Sequence, residues 1–363
     1  MNRRPVDDPT AQETAPAAPP GPARPAPRLD AAAWLTRLAR WETLLLALLV
    51  GVVIYNAQLS PYFLNTDNLL DDTSNFMEIG VIALPMTLII IAGHIDLSVG
   101  SNAALCSVVF ATLWQHGWNV WLACLAALLV GLVAGLANGV IITRIGLPSL
   151  IVTLGTFALY RGLANGILGS GEISGFPTSF SGIDLRYLPG THIPAPLVIF
   201  VVLALLIGLL LHGTVLGRYI FAIGNNEQAS RFSGVAVDRV VLILFSLSGF
   251  LSALAGLVLT SRLVTSRSDL ATNFELSAIT AAVLGGANIF GGEGSIPGTV
   301  IALFIIGLLQ NGLTLANVSA DVQTIVVGSL LILSILVPGV AQRLRTTLTR
   351  RRGGERPAVK DVA

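Results

Sequence analysis

Apolar runs alternate with short polar breaks along most of this chain, and the run lengths set the first expectation. A helix crosses the hydrocarbon core of a bilayer with about 20 residues, fewer where it is broken inside a protein bundle. Runs of this kind fall at 42–59, 77–93, 99–115, 119–143, 148–168, 195–212, 239–260, 274–291, 295–315 and 322–342, which predicts about ten transmembrane helices. Between the first two, "SPYFLNTDNLLDDTSNF" is expected along the membrane surface, its aromatic residues at the headgroups and Asp67, Asp71 and Asp72 facing water. The fold class read from this pattern is all-α: a polytopic membrane helical bundle in which two spans are broken by re-entering turns.

The first break is "LIIIAGHIDLSVGS", residues 88–101, where an apolar run stops at a glycine and shows two ionisable side chains. Gly93 lets the chain leave helical geometry cheaply. Asp96 or Ser98 is placed to cap the helix that resumes, and Gly100 permits a close helix contact. A second role for His94 and Asp96, as a gate or a contact with a partner, stays open because ionisable groups in a membrane region usually face protein or water. The second break, "LGGANIFGGEGSIPGT" at 284–299, repeats the logic with Gly285, Gly286, Gly291, Gly292 and Gly294. Glu293 takes the place comparable to Asp96, and Pro297 suits the first turn of the next helix. With "GLANG" at 135–139 set beside "LLQNG" at 308–312, the two breaks give a weak parallel internal repeat, a construction common among transporters.

A third stretch, "GRYIFAIGNNEQASRFSGVAVDR" at 217–239, is the longest internal polar segment. A short helix is expected over about 226–233, capped by Asn225 or Asn226. Glu227 and Arg231 stand four apart in the favourable order for an ion pair. A small ordered helix in a polar loop fits a surface gripped by another protein; the plainer alternative is a solvated loop.

Composition agrees with the pattern. Of 363 residues, 53% are hydrophobic and 11% charged, with a mean hydropathy of +0.78, against about 25% charged in soluble domains. Lipid must therefore solvate much of the surface. Lys360 is the only lysine, so no phosphate-binding loop of the G-x-x-x-x-G-K-[S/T] kind exists here. Cys106 and Cys124 lie in apolar stretches and read as packing residues. The net charge of +1 names no partner, but the arginines cluster. Arg37 and Arg40, Arg144, Arg218 and Arg231, and the arginines after residue 342 all fall on one side of an even number of spans. Arg186, Arg262 and Arg267 fall on the other, so the positive-inside rule favours cytoplasmic termini. Residues 1–41, biased to proline and alanine and without a signal-peptide core, read as a disordered tail and pre-membrane segment. Residues 42–342 form the membrane domain, and 343–363 a basic tail rather than a nucleic-acid site.

The motifs "GHIDLSVGS", "GRYIFAIGNNEQASRFSG" and "LGGANIFGGEGSIPGT", in this order and spacing over residues 42–342, resemble the permease subunits of bacterial ABC importers of the ribose/xylose/arabinose class. The resemblance implies an inner-membrane permease for a simple sugar, with rhamnose and the sugar-like signal autoinducer-2 among the substrates of close relatives. It implies three partners: a cytoplasmic ATPase, a periplasmic or extracellular sugar-binding protein, and a second permease copy or a related permease. ATP and magnesium would sit on the ATPase, leaving this chain without a cofactor or catalytic role. Gly224, Asn225, Asn226, Glu227 and Arg231 would then belong to the loop that meets the ATPase. The turns at Gly93–Gly100 and Gly291–Gly294 would be pore-domain elements. Asn138, Thr153, Thr156, Asn165, Gln310, Asn311 and Asn317 are candidates to line the path, or equally polar contacts between helices. The rivals are a self-contained secondary transporter, which needs coupling-ion ligands where few acids are found, and a membrane enzyme. The scattered histidines at 94, 116, 192 and 212 speak against the enzyme.

Overall fold

A computed structural model describes residues 31–185 and 194–353. The chain divides into two compact units, residues 1–40 and 41–363. Of the first, residues 31–40 are described and are helical. The expected disorder of residues 1–30 and the end of the basic tail lie outside the described residues.

The elements run in chain order as α1 (Ala31–Leu59), α2 (Thr66–Ile91), α3 (Val99–Gln115), α4 (Val120–Val140), α5 (Ser149–Leu168), β1 (Glu172–Ser174), α6 (Thr178–Leu185) and α7 (Ala195–Gly213). They continue with α8 (Val215–Asn225), α9 (Glu227–Phe232), α10 (Val237–Leu263), β2 (Thr265–Arg267), α11 (Phe274–Leu284), α12 (Ile296–Leu315) and α13 (Ala320–Gly353). Each of the ten expected spans falls on a helix. Among the described residues seven are long and apolar enough to cross a membrane by themselves, while α11 and the apolar part of α13, Ala320–Leu336, are shorter.

The helices start and stop for local reasons. Asn119 accepts the Trp121 N–H at 2.9 Å to open α4. Ser295 accepts the Gly298 N–H at 3.1 Å to open α12, with Pro297 in its first turn as expected. α2 ends with the N–H of His94 on the carbonyl of Ile89 and that of Gly93 on Ile90; α11 ends in the same way, Ala287 on Ala282 and Gly286 on Val283. Gly93 and Gly286 carry the positive φ that this ending requires. α3 and α12 close in the same manner at Gly117 and Asn317. The series α2–α3–α4 therefore has its counterpart in α11–α12–α13. The further pairing of "GLANG" with "LLQNG" does not hold, because the first lies on α4 and the second on α12, one helix earlier in its unit.

α2 is the central helix, with every residue of Phe76–Ile91 buried. It packs on α7, α10, α11 and α12. α10 lies backbone to backbone against α4, where a side chain on Gly135 would strike the carbonyl of Phe245 and one on Gly249 the carbonyl of Gly131. Small residues allow this approach where lipid offers little hydrophobic drive between helices. The outer faces stay apolar and open, with Leu205 and Leu209 on α7 and Val133 on α4 exposed, the surface that lipid tails would cover.

Two expectations change. Thr66–Phe76 is not a surface segment but the first half of α2, and Asp72 is buried rather than facing water. The eighth span stops at Leu284 instead of 291, because the chain leaves the helix at Gly286, and residues 264–273 before it turn back into the bundle. That segment runs along α3: Ser266 meets Ser107 at 2.7 Å, and the carbonyl of Ala271 lies against Gly100, seven residues nearer the start of α3. At 1.5 Å per residue this is a descent of roughly 10 Å. The Arg161 guanidinium holds it by donating to the carbonyls of Ser268 and Leu270 at 2.7 and 2.8 Å.

Candidate functional site

The three sequence motifs meet at one end of the bundle. The N–H of Gly292 donates to the carbonyl of Ile91, the last residue of α2, at 2.8 Å. Gly224, near the end of α8, lies directly over this hydrogen bond: a Cβ there would collide with both the Ile91 oxygen and the Gly292 nitrogen. A Cβ on Gly291 would lie 2.7 Å from the Gly224 oxygen, and one on Gly292 2.8 Å from the Asn225 side chain. Gly291 and Gly292 also have φ of 90° and 81°, where side chains are rarely accepted. Glycine is thus required twice over, by backbone conformation and by contact. Gly294 completes the junction against the Ile91 side chain. Three segments far apart in sequence become one close-packed knot.

α8 and α9 hang from this knot. Asn226, not Asn225, caps α9 by accepting the Ala229 N–H at 2.9 Å. Asn225 turns back to the carbonyl of Phe221. The expected Glu227–Arg231 pair is present at 2.9 Å, and the same guanidinium reaches Asp238 at 2.6 Å, tying α9 to the first turn of α10. All three side chains are about half exposed, so the pairs add little stability. They fix the direction of a six-residue helix whose last residue, Phe232, is 87% exposed.

The first break is stitched to its surroundings. The Asp96 carboxylate accepts the N–H and O–H of Ser98 at 3.0 and 2.6 Å and the Ser248 hydroxyl at 2.8 Å. Ser98 holds the cap position of α3 without a side-chain capping bond; its hydroxyl accepts instead from Asn138 on α4 at 2.9 Å. Burial pushes the Asp96 carboxyl above the usual range, and the Ser98 and Ser248 donors oppose it. His94 is enclosed at Nε2, which has no hydrogen-bond partner among the described residues, with its ring 6.1 Å from that of Phe245. Burial lowers its pKa, and the nearby charge of Glu227 partly opposes this. Gly100 is needed because the Glu275 carboxylate and the Ala271 carbonyl press on its Cα. Glu293 does not share the environment of Asp96. It is exposed, and its backbone carbonyl takes the Asn288 N–H.

The other half of α2 carries polar chemistry that the sequence reading missed. Glu78 is completely buried and accepts from Arg262 Nε at 2.8 Å. Arg262 Nη1 donates to Asn75 Oδ1 at 3.0 Å, and the Asn75 amide donates to Asp72 at 3.1 Å. The expected span began at residue 77, whereas the helix starts at Thr66; the spacing of Asn68, Asp72, Asn75 and Glu78 along one face was the available signal. Of the path candidates, Asn138 donates to Ser98, while Thr153 and Thr156 donate to carbonyls one turn back in α5, Thr153 also to the carbonyl of Ile95 in the first break. Asn311 accepts from Asn68 at 3.3 Å on the polar side of α2.

Known proteins of similar sequence can now be set beside this arrangement. A family model described as "Branched-chain amino acid transport system / permease component" matches residues 68–335. The chain is 41% identical over 302 residues to the autoinducer 2 import system permease protein LsrD of Klebsiella pneumoniae, covering 82% of this chain and 90% of the relative. It is 39% identical over 326 residues to the proteins of that name from Escherichia coli K12 and Shigella flexneri, covering 87% of this chain and 98% of each. No solved structure matches it. With the apolar helices, these likenesses identify a multi-pass inner-membrane protein that is a transport component rather than an enzyme. The chain belongs to the permease family of ABC importers, within the class that handles ribose- and xylose-type sugars.

Proposed function

We propose that this chain forms the membrane path of an ATP-driven importer for autoinducer-2 or a closely similar small polyhydroxylated solute. The substrate reading rests on relatives about 40% identical over more than four-fifths of the chain, whose names carry that substrate. The observation that carries the mechanism is the glycine junction, which presses α8 onto the end of α2 and the turn before α12. A push on α9 reaches α10 through Arg231–Asp238, and reaches α2 and α12 through Gly224. α9, with Phe232 outermost, is the surface offered to the ATPase, and the termini lie on that same cytoplasmic side. ATP and magnesium stay on the ATPase. A solute-binding protein delivers substrate at the opposite face, and a second permease completes the path.

The test is mild extraction from the native membrane, followed by mass spectrometry of stoichiometric partners. An ATPase should co-purify and should be lost from a Glu227→Ala/Arg231→Ala variant that remains folded. A transport-active chain recovered without any ATPase would overturn the reading in favour of a self-contained secondary transporter.

A further inference from the structure

Residues 264–273 descend into the bundle along α3, and neither the glycine junction nor the ATPase surface needs them there. Ser266 meets Ser107, which stands eight residues inside the Gln115 end of α3, about 12 Å at 1.5 Å per residue. The segment alternates: Ser266, Ser268 and Leu270 are buried against the bundle, while Arg267, Asp269 and Thr272 are exposed. Arg267 and Asp269 pair at 2.7 Å on that outer side. Charged groups at membrane depth face a water-filled path or protein rather than lipid, so the outer side of this segment looks onto water.

The segment is tethered at a few points. Arg161 on α5 donates to the carbonyls of Ser268 and Leu270, and the Ser268 hydroxyl donates to the carbonyl of Gly169. Val264 and Ala271 carry φ of 54° and 55°, the left-handed region that side chains rarely accept. Strain of this kind collects in segments that switch. A second seat for the guanidinium lies beside the first. The Glu275 carboxylate and the Ala271 carbonyl press together on Gly100, and the Arg161 charge reaches that carboxylate. Backbone N–H groups of Asn273 and Glu275 serve it, yet its Oε2 has no hydrogen-bond partner among the described residues.

We infer that residues 264–273 form a gate in the transport path, latched on α3 by Arg161 and released when that guanidinium turns to Glu275. The inference deepens the importer reading and rests on it. Latched, the segment narrows the path with its polar outer side. Released, the two carbonyl hydrogen bonds are exchanged for a charge-assisted pair at the Glu275 oxygen, and the left-handed backbone at Val264 and Ala271 relaxes.

The test locks the segment where it stands. Ser107→Cys/Ser266→Cys, in a chain carrying Cys106→Ala and Cys124→Ala, puts two thiols where the hydroxyls are 2.7 Å apart, within reach of a disulfide. Uptake of autoinducer-2, D-ribose and D-xylose is measured in lipid vesicles with the co-purifying partners. Oxidation should cut uptake by about tenfold or more with the ATPase still bound, and dithiothreitol should restore it. In the single Ser266→Cys variant of the same background, the buried thiol should react faster with a water-soluble maleimide during ATP turnover than without ATP. Arg161→Gln should bring the faster reaction without ATP, and Arg161→Lys should fall between. Undiminished uptake by the fully cross-linked chain, or labelling of Ser266→Cys that ATP leaves unchanged, would overturn the gate and leave the importer reading standing. Failure of the parent protein to import any of the three probes with its ATPase bound would overturn the importer reading and the gate together.

Discussion

Gly224→Ala is a one-carbon change whose cost follows from the junction. The new methyl would occupy the space of the Gly292 N–H···O=C Ile91 hydrogen bond, touching donor and acceptor at once. Neither atom is the end of a flexible side chain, so α8 must lift from α2 by roughly 1.5 Å to reach ordinary contact distances. Overpacking of this kind costs about 1–3 kcal/mol, and loss of the backbone hydrogen bond adds about 1 kcal/mol. For a chain of this size, at about 2 °C per kcal/mol, the apparent melting temperature in detergent should fall by roughly 4–8 °C. Gly162→Ala on α5, where a Cβ meets nothing within 4 Å, is the control and should not fall. In vesicles with the ATPase, Gly224→Ala should also lower solute moved per ATP hydrolysed, because the lever would be detached from α2 and α12. A melting temperature and coupling ratio equal to those of the parent protein would refute both the close packing and the transmission route.

Other perturbations test other parts of the structure. Arg262→Ala removes the guanidinium from the buried Glu78 carboxylate and should destabilise the chain by about 3–5 kcal/mol, with Glu78→Gln in the same chain recovering part of the loss in thermal unfolding. Asp96→Ala removes the acceptor of three hydrogen bonds and should cost about 3 kcal/mol or more. Asp96→Asn keeps an acceptor for Ser98 and should melt between the two. Burial depresses the pKa of His94, so the folded state binds fewer protons than the unfolded one. Its contribution is therefore fully present above the ordinary imidazole value of 6.5 and is lost as pH falls below it. The melting temperature should decline from pH 7 to 5 less steeply in His94→Phe than in the parent protein.

The chain announced most of its helices because each apolar run had to be long enough for lipid. α3 begins and ends where the pattern places it, and α9 forms around Asn226, one of the two expected caps, and the expected Glu227–Arg231 pair. These are local effects, settled by neighbours within one or two turns. The polar half of α2 was misjudged for the complementary reason. Residues 60–76 carry acids and amides that read as a surface segment until Arg262 and Asn311 are seen opposite them.

What the sequence determined by itself was the solvent, the helix content and the positions where the chain must break, since hydropathy, glycine and capping residues act through their own neighbourhood. What only the tertiary structure decided was which breaks meet. Nothing in "GHIDLSVGS" says that Ile91 receives Gly292, that Gly224 must lack a side chain to cover that bond, or that Gly100 yields space to Glu275. Those requirements come from backbones brought into contact by helices far apart along the chain. Close contact in three dimensions excludes a methyl group there, whatever the local sequence would allow.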